Sequence, residues 1–332
     1  MAIRSLAALI MIMLVAGVTV LSVSAIHATP EHQLPNLTEN LVDLQNEPSR
    51  ADLFALVVEA ADKTEPGRLA RDKENFFSLY GPFTFPNDTV YDVVRRKARE
   101  GSIFGIDISH YTSNDIPLER LYDRNVRFVY MKASQGIRYK DGKFLSFWSR
   151  VGKLPTGQKI HRGAYHFLSA NDDPAQQARV FSGVLSIAGG LESTDMPPVL
   201  DVEWDILSKH GRDEWEGQSP NLILAKVLTW LQTVESTSGR VPLVYTSNAW
   251  WKERVGSGVE LSRLGHYRVW IADYSDTDRA VEVPAVPNNA PWSLWQFTAS
   301  SRFAAGFSDP VDADIFRGTP DEFHKTFGVK EF

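Results

Sequence analysis

No cysteine occurs in the 332 residues of this sequence. Disulfides, thiolate metal sites and cysteine nucleophiles are therefore excluded, and a metal would need histidine and carboxylate ligands. The eight histidines show no HExxH-like spacing, so neither a metal nor another cofactor is expected. Basic clusters are scarce: nothing exceeds the short run Arg95-Arg96-Lys97, and the formal net charge is −6. A duplex nucleic acid needs grouped Lys and Arg against its phosphates, so it is not an expected partner. A Walker A loop and a Gly-x-Ser-x-Gly elbow are missing too, which removes phosphate-loop chemistry and the commonest serine nucleophile. The lack of cysteine does not argue against export, because a chain this long can bury a core without disulfides.

Long apolar stretches are also lacking, with one exception. After Arg4 the chain is apolar from Leu6 to Val18 and stays largely so to about Val23; the small-x-small patterns Val23-Ser24-Ala25 and Ile26-His27-Ala28 follow. Residues 1–28 are expected to be a signal peptide. The alternative is an uncleaved anchor tethering the protein to a membrane through residues 5–23, since the run approaches the ~18–20 residues that span a bilayer. Either way the body of the protein is expected outside the cytoplasm: secreted, periplasmic, or anchored facing outward. A monomer is the default expectation.

Residues 29–102 are polar, weakly periodic and punctuated by proline, and are read as a partly ordered N-terminal extension. The spacing predicts a helix over Ala51–Ala61 and a second short one over Tyr91–Glu100. From Ile103 to the end, short β-type runs alternate with helical patterns. The strands fall at Ile103–Ile108, Arg127–Ala133, Ile160–Phe167, Pro198–Glu203, Pro242–Tyr245, Arg268–Ala272 and Trp292–Phe297. The main helices fall at Pro174–Ile187 and Asn221–Thr237, the latter started by Pro220 and stopped by Gly239. Alternation of this kind predicts an α/β fold with a parallel sheet. Acidic and aromatic residues gather at the ends of several different strands, as active-site residues do in β/α barrels. The expected catalytic domain is therefore a TIM-like β/α barrel over 103–332.

The strand ends carry the chemistry. Asp107 closes the first strand, Asp201 and Glu203 the fourth and Asp273 the sixth. Side chains at i and i+2 of a strand share a face, so Asp201 and Glu203 point the same way, between Val199, Leu200 and Val202. Carboxylates set among apolar neighbours are costly unless used. Crowding them raises the pKa of one member, so that one can donate a proton while another stays ionised. Glycoside hydrolysis needs that division of labour. Tyr111, Tyr165, Tyr245, Trp270, Tyr274 and Trp295 fall at or near strand ends as candidate sugar-stacking rings, and Gln296 is a candidate hydrogen-bonding partner. His166 is read as a structural group. Asp205, Asp312 and Asp314 are weaker candidates, with Asp312 read as organising the barrel mouth.

These segments also resemble a known family. Gly105-Ile106-Asp107-Ile108-Ser109, Val129 to Gly136, Arg162 to Phe167, Val199-Leu200-Asp201-Val202-Glu203, Val244-Tyr245-Thr246, Trp270-Ile271-Ala272 and Trp295-Gln296-Phe297-Thr298 resemble, in order, the Chalaropsis-type lysozymes of glycoside hydrolase family 25. The resemblance implies a modified, irregular β/α barrel and metal-free N-acetylmuramidase activity on the β-1,4 bond between N-acetylmuramic acid and N-acetylglucosamine of peptidoglycan. It implies Glu203 as general acid, Asp201 as the group that positions or polarises the reacting sugar, and Asp107 and Asp273 as further active-site acids. It leaves open a covalent intermediate or assistance by the 2-acetamido group. The alternatives are a non-catalytic glycan-binding envelope protein on a hydrolase barrel, or a hydrolase of another polysaccharide such as chitin.

Overall fold

The computed structural model describes Ser49 and residues 83–92, 96–208, 211–275 and 282–332. The apolar N-terminal run and the helix expected at Ala51–Ala61 lie outside the described residues. Eight strands close a barrel: β1 (Ser102–Ile108), β2 (Val126–Gln135), β3 (His161–Phe167), β4 (Val199–Asp201), β5 (Leu243–Ser247), β6 (Arg268–Ala272), β7 (Leu294–Phe303) and β8 (Val311–Arg317). From β1 to β7 neighbours pair in parallel, and β8 closes the ring antiparallel to both β7 and β1.

β8 is the strand that sequence reasoning missed. It is reached by a hairpin from β7 rather than through a helix, so the strand–helix rhythm ends before it. Its inward positions Asp312, Asp314 and Phe316 are also mostly acidic, which inverts the usual apolar-inside signal. Because β8 runs backwards, its first residues lie at the end of the barrel where β1 to β7 finish. Asp312 pairs with Asp107 in register.

The pleat sorts side chains into two cores. Ile103, Phe128, Tyr130, Val199, Leu243, Tyr245, Trp270 and Leu294 fill the barrel interior. The glycines Gly105 and Gly163 make this filling possible: a Cβ on Gly105 would strike the Phe128 ring, and one on Gly163 the Tyr130 ring. The alternate residues Ile106, Val129, Met131, Leu200, Val244 and Ile271 face outward onto the helices. These are α1 (Phe144–Gly152), α2 (Pro174–Ile187) and α3 (Pro220–Ser238). α3 buries Ile223, Leu224, Val227, Trp230, Leu231 and Val234, an i, i+1, i+4, i+7, i+8, i+11 stripe. Its start and stop are as expected: Ser219 caps the Leu222 N–H at 3.3 Å, Pro220 takes the first turn, and Gly239 ends it at φ +67°. A C-terminal helix, α4 (Pro320–Phe327), closes the barrel bottom, with Phe323 5.6 Å from Phe128 and 5.3 Å from Phe316.

The hairpin leaves the outside of β7, β8 and β1 without a crossover helix, and part of the N-terminal extension covers it. Thr84–Phe85 pairs in parallel with Arg302–Phe303, while Phe83 and Phe85 bury against Phe104, Phe297 and Phe303 at ring separations of 4.9–6.4 Å. The ordered unit thus begins well before Ile103. The short helix expected at Tyr91–Glu100 is replaced by one helical turn at Asn87–Val90 and a two-stranded ribbon, Tyr91–Asp92 against Lys97–Ala98. Ten residues nucleate a helix poorly, and tertiary contacts override it: Arg99 Nε donates to Asp88 O at 2.6 Å, and the Arg99 guanidinium pairs with buried Glu282. Among the described residues no helix is long and apolar enough to cross a membrane.

Candidate active site

The ends of the parallel strands open into a cavity of about 550 Å³, within the range of small-ligand sites. Every barrel strand contributes at least one inward residue to it: Asp107 from β1, Lys132 from β2, Tyr165 from β3, Asp201 from β4, Tyr245 from β5, Trp270 from β6, Gln296 from β7 and Asp312 from β8. Glu203 stands two residues beyond Asp201, where β4 ends and the chain turns away. Its carbonyl accepts the Trp215 indole N–H at 2.9 Å, which fixes the backbone at the point that aims the Glu203 carboxyl into the cavity. On the other side, Gln296 organises a network. Its Nε2 donates to Asp107 Oδ2 at 2.6 Å, and its Oε1 accepts from the Tyr245 hydroxyl at 2.8 Å and from the Tyr274 hydroxyl.

Burial sets the electrostatics. Removal from water raises the Glu203 carboxyl from its ordinary 4.5 to about 7; Lys132 opposes the rise and Asp312 adds to it. Burial raises Asp201 well above the usual carboxylate range, and Glu203 and Asp107 push it further, against Lys132. Asp201 Oδ1 accepts no hydrogen bond from any described residue, so none of them offsets that burial on one side of the group. The pair therefore retains a proton at neutral pH. Asp205, two residues past Glu203, is raised to about 7 by burial, although Ala170 N–H donates to its Oδ2 at 2.8 Å. Seven acidic side chains line the cavity, namely Asp107, Asp172, Asp201, Glu203, Asp205, Glu214 and Asp312, against two cationic ones, Lys132 and Arg138.

With this geometry in hand, residues 106–305 match Glycosyl hydrolases family 25. The chain belongs to this family. It is 27% identical to Lysozyme M1 of Streptomyces globisporus over 67% of this chain and 70% of that protein. It is 29% identical to the N,O-diacetylmuramidase of Arthroderma benhamiae over 68% and 87%. Among solved structures, the bacterial lysozyme from Streptomyces coelicolor aligns with a TM-score of 0.55 at 28% identity, covering 66% of this chain and 94% of that one. The muramidase from Acremonium alcalophilum aligns at 0.52 and 27%, covering 66% and 96%. The family match stops at residue 305, before β8, so Asp312 reaches the cavity from a strand beyond the matched residues.

Membership of family 25 makes the protein a glycoside hydrolase on a closed β/α barrel. Of the eleven residues singled out in the sequence, nine line the cavity: Glu203, Asp201, Asp107, Tyr165, Tyr245, Trp270, Tyr274, Tyr111 and Gln296. Two do not. Asp273 follows the last residue of β6, and its carboxylate turns into its own loop, accepting Ser275 N–H at 3.1 Å and Ala285 N–H at 2.7 Å. At the mouth, Asp312 stands in register with Asp107. Trp295 sits between the inward residues Leu294 and Gln296, so the pleat sends it outward; it is buried in the outer core and donates its indole N–H to Asp273 O at 2.8 Å. Lys132 and Trp204 were not singled out. Lys132 had a signal, since it continues the inward series Phe128, Tyr130, Lys132 of an otherwise apolar strand. His166 is the structural group it was read as: Ser134 Oγ lies 2.8 Å from Nδ1, Gln177 Oε1 lies 3.1 Å from Nε2, and burial drops its pKa to about 3.

Proposed function

We propose that this hydrolase is an exported N-acetylmuramidase of peptidoglycan, with Glu203 as the general acid. The observation that carries the assignment is the Asp201–Glu203 pair, Asp201 buried and Glu203 half-buried in the cavity wall. A carboxyl held at about 7 is protonated at near-neutral pH and suited to protonate a glycosidic oxygen. The names of the relatives, lysozyme and N,O-diacetylmuramidase, support peptidoglycan as the substrate, and a wall polymer places the enzyme outside the cytoplasm.

In this reading the glycan lies across the mouth with its rings against Tyr165, Tyr245 and Trp270. Glu203 donates its proton to the oxygen between N-acetylmuramic acid and N-acetylglucosamine, and the bond to the leaving sugar breaks. Asp201 Oδ1 accepts the N–H of the 2-acetamido group and turns its carbonyl oxygen toward the anomeric carbon. Asp107 and Asp312 supply the negative potential that favours the positive charge growing there. Glu203, now ionised, draws the proton from the water that completes hydrolysis.

The test is mass spectrometry of soluble products after the full chain is incubated with purified peptidoglycan, beside the Glu203→Gln variant. Products ending in reducing N-acetylmuramic acid, absent for the variant, support both substrate and acid. Reducing N-acetylglucosamine ends, or no products from a folded wild type, overturn the reading.

A further inference from the structure

We propose that Arg138 binds the free carboxylates of the peptide carried by N-acetylmuramic acid, making the enzyme selective for acidic, peptide-bearing glycan over neutral glycan. This rests on the muramidase reading above. Neutral sugars tolerate a cavity lined by seven acids. An anionic arm attached to the same glycan meets like charge over most of that lining and gains only where a cation is free to receive it.

Lys132 is buried and committed: its Nζ donates to Gln135 Oε1 at 2.6 Å and lies 4.9 Å from the Phe167 ring centre. Arg138 lines the same cavity but is exposed. Its guanidinium has no hydrogen bond or ion pair with any described residue. The backbone beneath it is fixed. Ser134–Gln135 pairs antiparallel with Tyr139–Lys140, so Arg138 stands in the intervening turn. Gly136 N–H donates to Phe167 O at 3.2 Å and Ile137 N–H to Asp172 Oδ2 at 3.0 Å. Gly136 itself, at φ +55°, leaves no space for a Cβ against Asp172 and Ser169. A rigid turn thus presents an uncommitted guanidinium at the rim, a geometry suited to bidentate carboxylate binding. The buried acids at the floor act on the sugar, and the arm leaves past Arg138.

The experiment compares kcat/KM on soluble glycan strands whose peptide carboxylates are free with the same strands after conversion of those carboxylates to primary amides. For the wild type the ratio should favour the acidic strands by about threefold to fivefold, the worth of one exposed ion pair, carried in KM and shrinking with added salt. Arg138→Gln should bring the ratio to one, Arg138→Lys should keep part of it, and Arg138→Glu should invert it. A wild-type ratio of one, or a ratio unchanged in Arg138→Gln and Arg138→Glu, overturns the proposal while leaving the muramidase reading intact. Failure of the wild type to cleave either strand overturns the muramidase reading and this inference with it.

Discussion

At the scale of single residues, what distinguishes Glu203 is that its proton is kept by burial rather than by a hydrogen bond. Replacing it with Gln removes the transferable proton and preserves shape, so kcat should fall by about 10²- to 10⁴-fold without loss of melting temperature. Because the acid must be protonated to act, wild-type activity should fall as pH rises through about 7, the value to which burial lifts Glu203. A rate profile flat from pH 5 to 9 would refute the assignment. Gln296 and Asp273 make a second contrast. Gln296→Ala removes the donor to Asp107 and the shared acceptor of Tyr245 and Tyr274, and should lower kcat. Asp273→Asn weakens two bonds within a loop, and should lower stability by about 1–2 kcal/mol with kcat nearly intact. Steady-state kinetics beside denaturant melts separate the two.

At the scale of elements, the closing hairpin sets the demands on its surroundings. A β/α barrel normally covers each parallel strand with the helix that follows it. Between β7 and β8 there is no such helix, and the apolar outside of β1 and β7 is closed by Phe83 and Phe85, buried at 1% and 0% exposure. Each Phe→Ala change there should cost about 3–5 kcal/mol, read as a lower denaturant midpoint. A chain starting at Ile103 lacks the whole cover and should be less stable still, although every cavity-lining residue is retained. Equal stability of the two chains would show that Thr84–Phe85 is an ornament rather than part of the barrel.

At the scale of the molecule, the buried acids couple stability to pH. Glu203 and Asp205 each titrate at about 7 when folded, against ordinary values of 4.5 and 3.8. Burial, with Asp107 and Asp312 beside it, also raises Asp314 well above the usual range. The folded state therefore binds these protons more tightly than the unfolded state does. Their stabilising contribution is fully present below pH 4 and is lost as pH rises through about 7. His161 and His166, which burial lowers from 6.5 to about 4 and about 3, act the other way up to about pH 6.5, so the decline in melting temperature should show above that pH, and Asp205→Asn, which retains an acceptor for Ala170 N–H, should flatten it. A wild-type curve rising from pH 7 to 8 would contradict this account.

The sequence by itself determined the strand–helix alternation from Ile103 to Phe297, the caps of α3, and the Asp201-x-Glu203 pair, because pleat period, helix period and capping chemistry are local. Seven barrel strands were legible on those grounds, and nine of the eleven candidate residues line the cavity. Only the tertiary structure decided the rest. Asp312, read in the sequence as a weaker candidate at the barrel mouth, pairs with Asp107 because β8 returns antiparallel, a reversal with no local signature. Trp295 turns outward because the register of β7 assigns the inner face to Gln296. Asp273 is spent on its own loop, and Phe83 and Phe85 become core because a distant hairpin lacks a helix. For Asp312, Phe83 and Phe85 the deciding contact joins residues far apart in the chain, and such contacts leave no periodicity for the sequence to display.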